Sequence, residues 1–515
     1  MSSSTRSLPT RALLTGIAVA AALLLGFAAR AQAAELIYWN NYGAEPQSIS
    51  YANIDGSGGG ALNLTGATLV DPEGMAIDTA TNRLFVASCC GGPDKKGSII
   101  AANLDGTGAS VFTAPGAPVD EPFGVAIDPG SRTIYWANYA DDGTPSIAWA
   151  KLDGSVGGVV NTTGATPGKP YKVALDTVNG RIYWGTSEPG VVSLHYANLN
   201  NTGGGDPNLS GYEPDGAYGL AVDPAAGRLY WSDGDHFSYT GLLGGPVGAL
   251  NVTGAVFNQS YGFAIDPTLG KIYWPNYKNG DDRVNGLGFA SLSGGGGGNI
   301  TPATAPFKSA QDAVVLKSPT GTAAPVIGRN PKARSQLTCP AGTWAADFAG
   351  SYVYQAPTTY AYQWLLNGKA ISGSTAATLA ATKPGKYTCA VTATNQAGAA
   401  SQASAAAVVK ASKAKLTTKK KVTVKAGRTA TFKLKIANQG DLKSKNAKLC
   451  ATLPKAAKGE LKAPKCKSLG KLKGRGKKSA TLKIKALPSA SGVYSVSFKV
   501  KGTAGKAAKA KIVVK

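Results

Sequence analysis

Few residues in this chain have the chemistry for catalysis. The sequence of 515 residues contains only two histidines, His195 and His236, and six cysteines. No HExxH, P-loop or nucleophile-elbow motif is present, so neither histidine has the sequence neighbours that metal binding or nucleophilic catalysis requires. We predict that both are solvated strand residues and that the protein is not an enzyme, with no catalytic residue, metal site or cofactor.

Acidic loops are the other candidates for chemistry, because carboxylate oxygens are preferred ligands of calcium. Three acidic pairs follow aromatic strand motifs: Asp141 and Asp142, Asp233 and Asp235, and Asp281 and Asp282. None has the spacing of an EF-hand loop. Solvated turn residues are therefore the interpretation we favour, and calcium stays open as the one cofactor.

A repeat carries these residues. An aliphatic residue followed in most copies by Tyr-Trp recurs with anchors 47, 50, 48, 47 and 43 positions apart. The copies are Ile37-Tyr38-Trp39, Leu84-Phe85-Val86, Ile134-Tyr135-Trp136, Ile182-Tyr183-Trp184, Leu229-Tyr230-Trp231 and Ile272-Tyr273-Trp274. A Gly-x-Ala-x-Asp motif precedes most copies, and two shorter strand patterns follow. Four short strands in a period of about 40–50 residues predict a β-propeller blade, so the six copies predict an all-β chain with a six-bladed β-propeller.

The ends of the repeat suggest how the ring closes. The first anchor, Ile37–Trp39, has no Gly-x-Ala-x-Asp motif before it, whereas a similar pattern follows the sixth copy at Gln311–Leu316. We predict that Gln311–Leu316 pairs beside Ile37–Trp39, since closure leaves no long unpaired strand edge.

These motifs resemble the YWTD propeller of the low-density lipoprotein receptor family over residues 34–317. The family's motif ends in Thr-Asp after Tyr-Trp, and here only Ser232-Asp233 keeps the aspartate. The resemblance implies a six-bladed propeller that binds extracellular protein, with an altered polar network between blades.

One face of the propeller is predicted to bind ligand. In a four-stranded meander, the residue just before each inner-strand motif should ring the mouth of the central channel. These residues are Glu73, Phe123, Tyr171, Tyr218, Tyr261 and Gln311. Loops on the same face add Asn40, Asn41, Tyr42, Asn138, Tyr139, Asn276 and Tyr277. Flat rings with amide partners suit stacking on a sugar or an extended peptide. The alternative is that the rings pack against neighbouring blades as structural plugs.

The cysteines fall into three pairs along the chain: Cys89 and Cys90, Cys339 and Cys389, and Cys450 and Cys466. In an oxidising compartment each pair is predicted to form a disulfide. For Cys89 and Cys90 the alternatives are a vicinal bridge, which we favour, and two free thiols.

Two smaller domains follow the propeller and are predicted to be β-sandwiches. In residues 318–410, Trp364 lies between Cys339 and Cys389, and Tyr387 lies two residues before the second cysteine. This order resembles bacterial immunoglobulin-like modules, which implies that Trp364 packs on the disulfide and that Tyr387 forms a tyrosine corner. A different disulfide-closed sandwich is the alternative. Residues 411–515 alternate apolar and basic residues, which predicts half-buried strands. Short stretches at 437–440 and 450–454 resemble CARDB-type adhesion modules.

Charge divides the chain in the same way. The net charge is −12 over residues 34–317, +6 over 318–410 and +28 over 411–515. Lysine is a hydrated point charge suited to loose attraction of polyanions, so we predict that 411–515 binds an anionic cell-wall polymer. A solubilising surface, or docking on the acidic propeller, is the alternative. Few aromatic residues interrupt the lysines, so specific nucleic-acid binding is not expected.

The N-terminus predicts export. Arg6 and Arg11 precede an apolar run at 12–29, and the small-residue site Ala31-Gln32-Ala33 follows. This is the pattern of a secretory signal peptide at 1–33, with an uncleaved anchor as the alternative. No later apolar run has that length, so we predict no transmembrane span in the mature chain and a secreted or cell-wall-associated location.

Together these features predict a secreted or cell-surface-associated bacterial binding or adhesion protein. The propeller face would recognise an extracellular protein or glycan, and the basic domain would hold the anionic polymer. The alternative is a secreted propeller enzyme of lactonase or lyase type acting at the central channel, where Glu73 and Asp312 are the candidate carboxylates.

Overall fold

The computed structural model describes residues 35–515 except 43, 45, 92–94, 189–192, 213, 234–235 and 278–285. The predicted signal peptide, Asp235, Asp281 and Asp282 lie outside the described residues. The chain forms two compact units. The first comprises the described residues up to Thr320 together with Ala345–Thr358 and Thr394–Ala400, and the second comprises Gly321–Trp344, Thr359–Ala393 and Ser401–Lys515.

The first unit is built from short strands, in chain order. They are β1 (Glu35–Asn41), β2 (Ser48–Asn53), β3 (Gly60–Ala61), β4 (Pro72–Asp78), β5 (Arg83–Ser88), β6 (Ser98–Asn103), β7 (Ser110–Phe112), β8 (Pro122–Asp128), β9 (Thr133–Asn138), β10 (Ser146–Lys151), β11 (Gly157–Val159) and β12 (Pro170–Asp176). They continue as β13 (Arg181–Thr186), β14 (Leu194–Asn198), β15 (Gly204–Gly205), β16 (Gly219–Asp223), β17 (Arg228–Ser232), β18 (Phe237–Gly241), β19 (Gly248–Ala249), β20 (Ala264–Asp266), β21 (Lys271–Pro275), β22 (Leu287–Ser291), β23 (Gly297–Ile300) and β24 (Ala313–Lys317).

These strands form a six-bladed β-propeller. Five antiparallel sheets follow chain order, namely β4–β7, β8–β11, β12–β15, β16–β19 and β20–β23. In the remaining blade β24 is the inner strand and pairs antiparallel with β1, in the register Ile37 to Val315 and Trp39 to Ala313. The predicted closure by the segment after the sixth repeat is therefore confirmed. The inner strands β24, β4, β8, β12, β16 and β20 contact one another in that order around the ring.

The Tyr-Trp strands are apolar on both faces because each blade is packed between two others. Successive side chains of a strand point to opposite faces, and yet Tyr38 and Trp39 are both almost fully buried, as are Tyr230 and Trp231. Continuous apolar runs are the pattern of strands covered on both sides. The aspartate that ends the inner-strand motif accepts hydrogen bonds from the turn that follows it. Asp128, for example, accepts hydrogen bonds from the Gly130 amide at 2.9 Å and the Ser131 hydroxyl at 2.6 Å and so shapes the turn.

A segment from residues 345–358 fills the floor of the propeller. It contains a 3-10 turn, Ala349–Ser351, and the short strand β29 (Val353–Tyr354), which pairs in parallel with β24. Tyr352 is fully buried on the axis, and its hydroxyl donates to the carbonyl of Val173 in β12. The Ser351 hydroxyl donates to the carbonyl of Val222 in β16 at 2.5 Å. We call Ala345–Thr358 the plug segment.

Several contacts hold the ends of the plug segment. Asp347 accepts hydrogen bonds from the Thr79 hydroxyl at 2.6 Å and from the backbone amides of Gln355 and Ala356 at 2.7 and 2.8 Å. The Asn395 side chain donates to the Lys317 carbonyl at 2.7 Å. The sequence analysis placed the plug segment within the domain at 318–410 and did not anticipate that it contributes to the propeller.

The second unit is also composed of strands. They are β25 (Gly321–Ala323), β26 (Gly328–Arg329), β27 (Gln336–Thr338), β28 (Thr343–Trp344), β30 (Thr359–Leu366), β31 (Lys369–Ala370), β32 (Thr378–Ala380), β33 (Gly385–Asn395), β34 (Gly398–Ala403) and β35 (Ala407–Val409), where β33 and β34 extend into Thr394–Ala400 of the first unit. They continue with β36 (Ala414–Thr417), β37 (Lys421–Val424), β38 (Thr429–Asn438), β39 (Asn446–Thr452), a 3-10 turn at Lys455–Ala457, β40 (Leu461–Lys462), β41 (Lys467–Lys471), β42 (Lys477–Ala486), β43 (Gly492–Lys501) and β44 (Ala508–Val514).

The part at 321–409 surrounds a disulfide. Trp364 is fully buried in one cluster with Cys339 and Cys389, which are bridged. The Tyr387 hydroxyl donates to the Lys383 carbonyl at 2.7 Å, which is the hydrogen bond that a tyrosine corner predicts.

The part at 411–515 consists of two packed sheets. Their strand orders are β36-β38-β42-β40 and β37-β44-β43-β39-β41. In β38 the side chains alternate strictly, with Phe432, Leu434 and Ile436 buried and the lysines between them exposed. The alternation of apolar and basic residues thus produces a sandwich whose outer faces are basic, as predicted. Over the described residues no α-helix is present, and no helix is long and apolar enough to cross a membrane.

The plug segment is expected to stabilise the propeller. Replacing Tyr352 with Ala removes a fully buried ring and its hydrogen bond to β12, which should lower the free energy of unfolding by about 3–5 kcal/mol. Urea unfolding measures the loss of free energy, and hydrogen exchange of the β12 and β24 amides measures how readily those two strands open. The control is Tyr360→Ala, because that ring is 43% exposed. Equal losses in the two variants would mean that the plug segment contributes no special stability.

Candidate functional site

The axis of the propeller contains a buried ion pair. Four of the six copies of the inner-strand motif begin with glycine, whereas the copy in β12 begins with Lys172 and the copy before β24 begins with Asp312. These two residues belong to opposite blades, and Lys172 Nζ lies 2.5 Å from Asp312 Oδ2, with both side chains almost fully buried. Asp312 Oδ2 also accepts the backbone amide of Met75 at 2.8 Å. The glycines are required at the other positions because the strands crowd the axis: a Cβ on Gly124 would lie 2.7 Å from the Lys172 Cα.

Above this pair lie Glu73 and Gln311, which the sequence analysis placed at the channel mouth. Both are buried, and the Gln311 amide donates to Glu73 Oε1 at 3.2 Å. Burial raises the pKa of Glu73 to about 8, the charges of Asp71 and Asp312 act in the same direction, and Lys172 opposes them. Burial likewise raises the pKa of Asp312 against the pull of Lys172. The axis therefore holds two carboxyl groups, only one of which has a direct cationic partner.

The predicted aromatic residues do come together on the face above. Phe123 lies 4.6 Å from Tyr171 between ring centroids, Tyr171 lies 5.5 Å from Tyr218, and Tyr218 lies 5.3 Å from Tyr261. The rings of the neighbouring loops extend this cluster, with Tyr139 5.0 Å from Phe123, Tyr277 4.9 Å from Tyr261 and Tyr42 6.1 Å from Tyr277. All seven side chains are half-buried. We call these seven residues the aromatic face.

Burial makes the hydroxyls of Tyr42, Tyr171, Tyr218, Tyr261 and Tyr277 weaker acids than a free tyrosine, because it raises their pKa. Burial raises the pKa of Tyr261 and of Tyr42 to about 12 and that of Tyr171 well above its usual value of 10.0. The aromatic face is therefore uncharged at neutral pH and offers flat rings and neutral hydroxyls.

The predicted amide partners have a different position. Asn40 is fully buried: its side-chain nitrogen donates to the carbonyl of Glu73 at 2.8 Å, and its oxygen accepts the amides of Gln311 and Asp312 at 2.8 and 2.9 Å. Asn138 and Asn276 are also buried and bind the loop that leads into their own blade, through the amides of Asp120 at 3.1 Å and Asn258 at 3.0 Å. These asparagines join strands inside the fold because each lies at the end of a covered strand, and they do not point outward beside the rings as the sequence analysis expected.

A groove adjoins the aromatic face between the third and fourth blades. It has a volume of about 440 Å³. Its lining includes Ile147, Pro167, Lys169, Trp184 and Glu188. Lys169 Nζ lies 5.0 Å from the ring centre of Tyr139, so the groove is continuous with the aromatic face. Such a groove offers apolar walls with a few charged groups, the usual composition of a ligand site.

The two histidines differ in burial, and the cysteines are paired. His195 is fully buried, stacks on Trp184 at 5.5 Å and has Nδ1 2.7 Å from Asp206 Oδ1, so the prediction that it is solvated is wrong. It is buried because its strand is covered on both faces, whereas the His236 side chain is 46% exposed, as predicted. All three predicted disulfides are present, including the vicinal Cys89–Cys90 bridge. Within the described residues no group of three His, Cys, Asp or Glu side chains could hold a metal ion.

Lys172 is the site residue that the sequence analysis did not single out. The available signal was a departure from the repeat, since Lys172 and Asp312 occupy the glycine position of the motif in two blades. A charged residue in place of a repeated glycine, twice and with opposite sign, would have pointed to an ion pair on the axis.

This geometry defines the first unit of the chain as a six-bladed β-propeller. No family model and no curated protein sequence matches the chain. Among solved structures it is similar to a chain of a nidogen/laminin complex, with 17% identity, a TM-score of 0.42, and coverage of 55% of this chain and 98% of that one. It is also similar to TolB from Acinetobacter baumannii, with 11% identity, a TM-score of 0.40, and coverage of 54% of this chain and 66% of that one. A gluconolactonase from Xanthomonas campestris is similar with 16% identity, a TM-score of 0.36, and coverage of 54% of this chain and 85% of that one. At these identities the similarity concerns the fold alone. The assignment of a six-bladed propeller rests on the six sheets of this structure.

Stability is expected to depend on pH through Glu73. The folded protein keeps this proton up to about pH 8, whereas the unfolded chain loses it near the usual value of 4.5. The folded state therefore binds more protons between these values, so the free energy of unfolding should fall as the pH rises from about 5 to 8, by up to about 1.4 kcal/mol per pH unit from this group. Glu73→Gln cannot ionise and should show a flatter profile. Urea unfolding at several pH values measures both proteins, and parallel profiles would contradict the assignment.

Proposed function

We propose that this chain is a secreted or cell-surface-associated bacterial binding protein. Its aromatic face recognises an extracellular glycan, and its basic C-terminal domain holds an anionic cell-wall polymer. The proposal rests chiefly on the aromatic face, which gathers seven half-buried rings at one mouth of the propeller. A contiguous apolar patch that stays partly exposed often marks a binding site.

A glycan is the favoured ligand of the aromatic face. Tyrosine rings bury large area with little loss of conformational freedom and offer hydroxyls for hydrogen bonding. The tilted and edge-on packing of the rings leaves each one partly exposed, and the adjoining groove supplies Lys169 and Glu188 as polar partners. A protein or extended peptide could use the same surface and is the alternative that the binding test distinguishes.

The protein's own side chains fill the axis and leave no room for a substrate, which favours a binding function over a catalytic one. The space among Glu73, Phe123, Tyr171, Lys172 and Tyr261 has a volume of about 10 Å³, which is about the room that one water molecule needs. The carboxyl groups that a lactonase- or lyase-like reaction would use lie beneath these rings and are almost fully buried. A substrate would have to displace the rings to reach them.

The basic domain supports the second half of the proposal. The alternating strands of the 411–515 sandwich place lysines on its outer faces, as in β38 and in β42 from Ala480 onward, where every second residue is buried. Dense surface ammonium groups attract polyanions through release of counterions. Export and wall association rest on the signal-peptide pattern and on this charge.

Removal of three central rings tests the aromatic face. The variant Tyr171→Ala, Tyr218→Ala, Tyr261→Ala should lose about tenfold or more in affinity for its glycan, because each stacked ring contributes about 0.5–1.5 kcal/mol. A glycan array identifies the ligand, and calorimetry on the bound glycan measures the loss.

The matched control removes Tyr51, Tyr196 and Tyr239, which are half-buried tyrosines in the third strands of their blades. This control should bind the glycan normally. Should the first variant melt far lower while still binding its ligand, the rings would be core residues and the proposal would fail. Binding of a peptide but no glycan would shift the ligand class to protein.

Retention on bacterial cell walls tests the basic domain. The full chain should bind purified walls at low salt and be released as salt is added, because the attraction is electrostatic. A chain that ends at residue 410 should be retained far less. Equal retention with and without residues 411–515 would reject a wall-binding role for this domain.

A further inference from the structure

The second unit contains a groove that is dominated by lysine. Its volume is about 520 Å³. The cationic residues of its lining are Lys332, Lys443, Lys445, Lys471 and Lys473. All five are exposed. We call these five residues the lysine groove.

The lysines are brought together by three chain segments. The Ser444 amide donates to the Leu472 carbonyl at 2.9 Å, and the Leu472 amide donates to the Ser444 hydroxyl at 2.8 Å. These bonds hold Lys443 and Lys445 beside Lys471 and Lys473, which flank the same two residues. Lys332 is presented by a turn in which Asn330 accepts the Lys332 amide at 2.9 Å. The positions of the lysines are therefore set by backbone and side-chain hydrogen bonds.

The carboxylate that lines this groove is already neutralised. Asp441 is almost fully buried and lies 2.8 Å from Arg475, 3.7 Å from Arg334 and 3.8 Å from Arg329. It also accepts the Lys410 amide at 2.9 Å. Its negative charge is therefore compensated by arginines, and the five lysines have no carboxylate partner within ion-pair distance among the described residues. Like charges held close together favour an anion that can bridge them.

We propose that the lysine groove, formed by the basic domain and the turn that carries Lys332, binds a polymer of repeating phosphate groups. This proposal rests on the polyanion binding proposed above and locates it. Arginine forks suit carboxylates, and here the arginines are engaged with Asp441. The remaining donors are ammonium groups, which bind phosphate as point charges. An extended chain that bears one charge per repeat can contact several of the five lysines at once.

Two charge-matched variants test the location. The groove variant is Lys443→Gln, Lys445→Gln, Lys471→Gln, Lys473→Gln. The face variant is Lys433→Gln, Lys435→Gln, Lys483→Gln, Lys485→Gln, which alters four exposed lysines of β38 and β42 outside the groove lining. Both lose the same net charge. Poly(glycerol phosphate) is the probe, polygalacturonate is the carboxylate comparison, and affinity is measured on the full chain at fixed salt.

The groove variant should lose at least about tenfold more affinity for poly(glycerol phosphate) than the face variant, because localised phosphate contacts are removed in one and only general charge in the other. Equal losses would overturn the groove as the site and leave the proposed polyanion binding standing. Losses for polygalacturonate as large as those for poly(glycerol phosphate) would overturn the phosphate class. Failure of the unaltered chain to bind either polymer would overturn the proposed function of the domain together with the groove.

Discussion

Lys172 and Asp312 meet on the axis of the propeller from opposite blades, and the rest of the first unit is arranged around that contact. Two buried charges are tolerated only when each is well paired, and removing one partner of such a pair costs about 3–5 kcal/mol. The geometry needs a closed ring, because Asp312 directly precedes β24, the strand that completes the first blade. It also needs glycine at the equivalent positions of the other inner strands, where a side chain would collide with the neighbouring strand.

The plug segment completes the same axis from below. The ring of Tyr352 lies 5.4 Å from Lys172 Nζ, so the cation faces an aromatic surface on one side and Asp312 on another. Gly350 approaches the Leu175 carbonyl too closely for any side chain, which explains the glycine at the tip of the segment. From the plug segment through the ion pair and Glu73 to the aromatic face, the axis is occupied by the protein's own side chains.

Because the axis is filled, the binding that we propose for the propeller lies at its surface. Beneath the half-buried rings lie the Glu73–Gln311 hydrogen bond and the Lys172–Asp312 ion pair, which connect different blades and so hold the base of the aromatic face in place. In the second unit the arginines neutralise the buried carboxylate of Asp441, and the lysines of the groove remain exposed and without an acidic partner among the described residues. The two proposed binding surfaces therefore differ in chemistry, one neutral and aromatic and the other cationic.

The repeat spacing by itself determined the blades and the closing strand, because strand periodicity is a local property. The disulfide pairs followed from a different pattern, the occurrence of two cysteines in each of three segments of the chain. Four aromatic residues of the face also followed from their place before an inner-strand motif, and the other three followed from their place in loops on the same face. Only the tertiary structure decided that Asn40, Asn138 and Asn276 turn inward, that His195 is buried and that Ala345–Thr358 enters the propeller. It alone joined Lys172 to Asp312 and gathered the lysine groove from three segments. These contacts link residues that are far apart in the chain, and no local pattern specifies which distant group a buried polar atom will meet once the ring has closed.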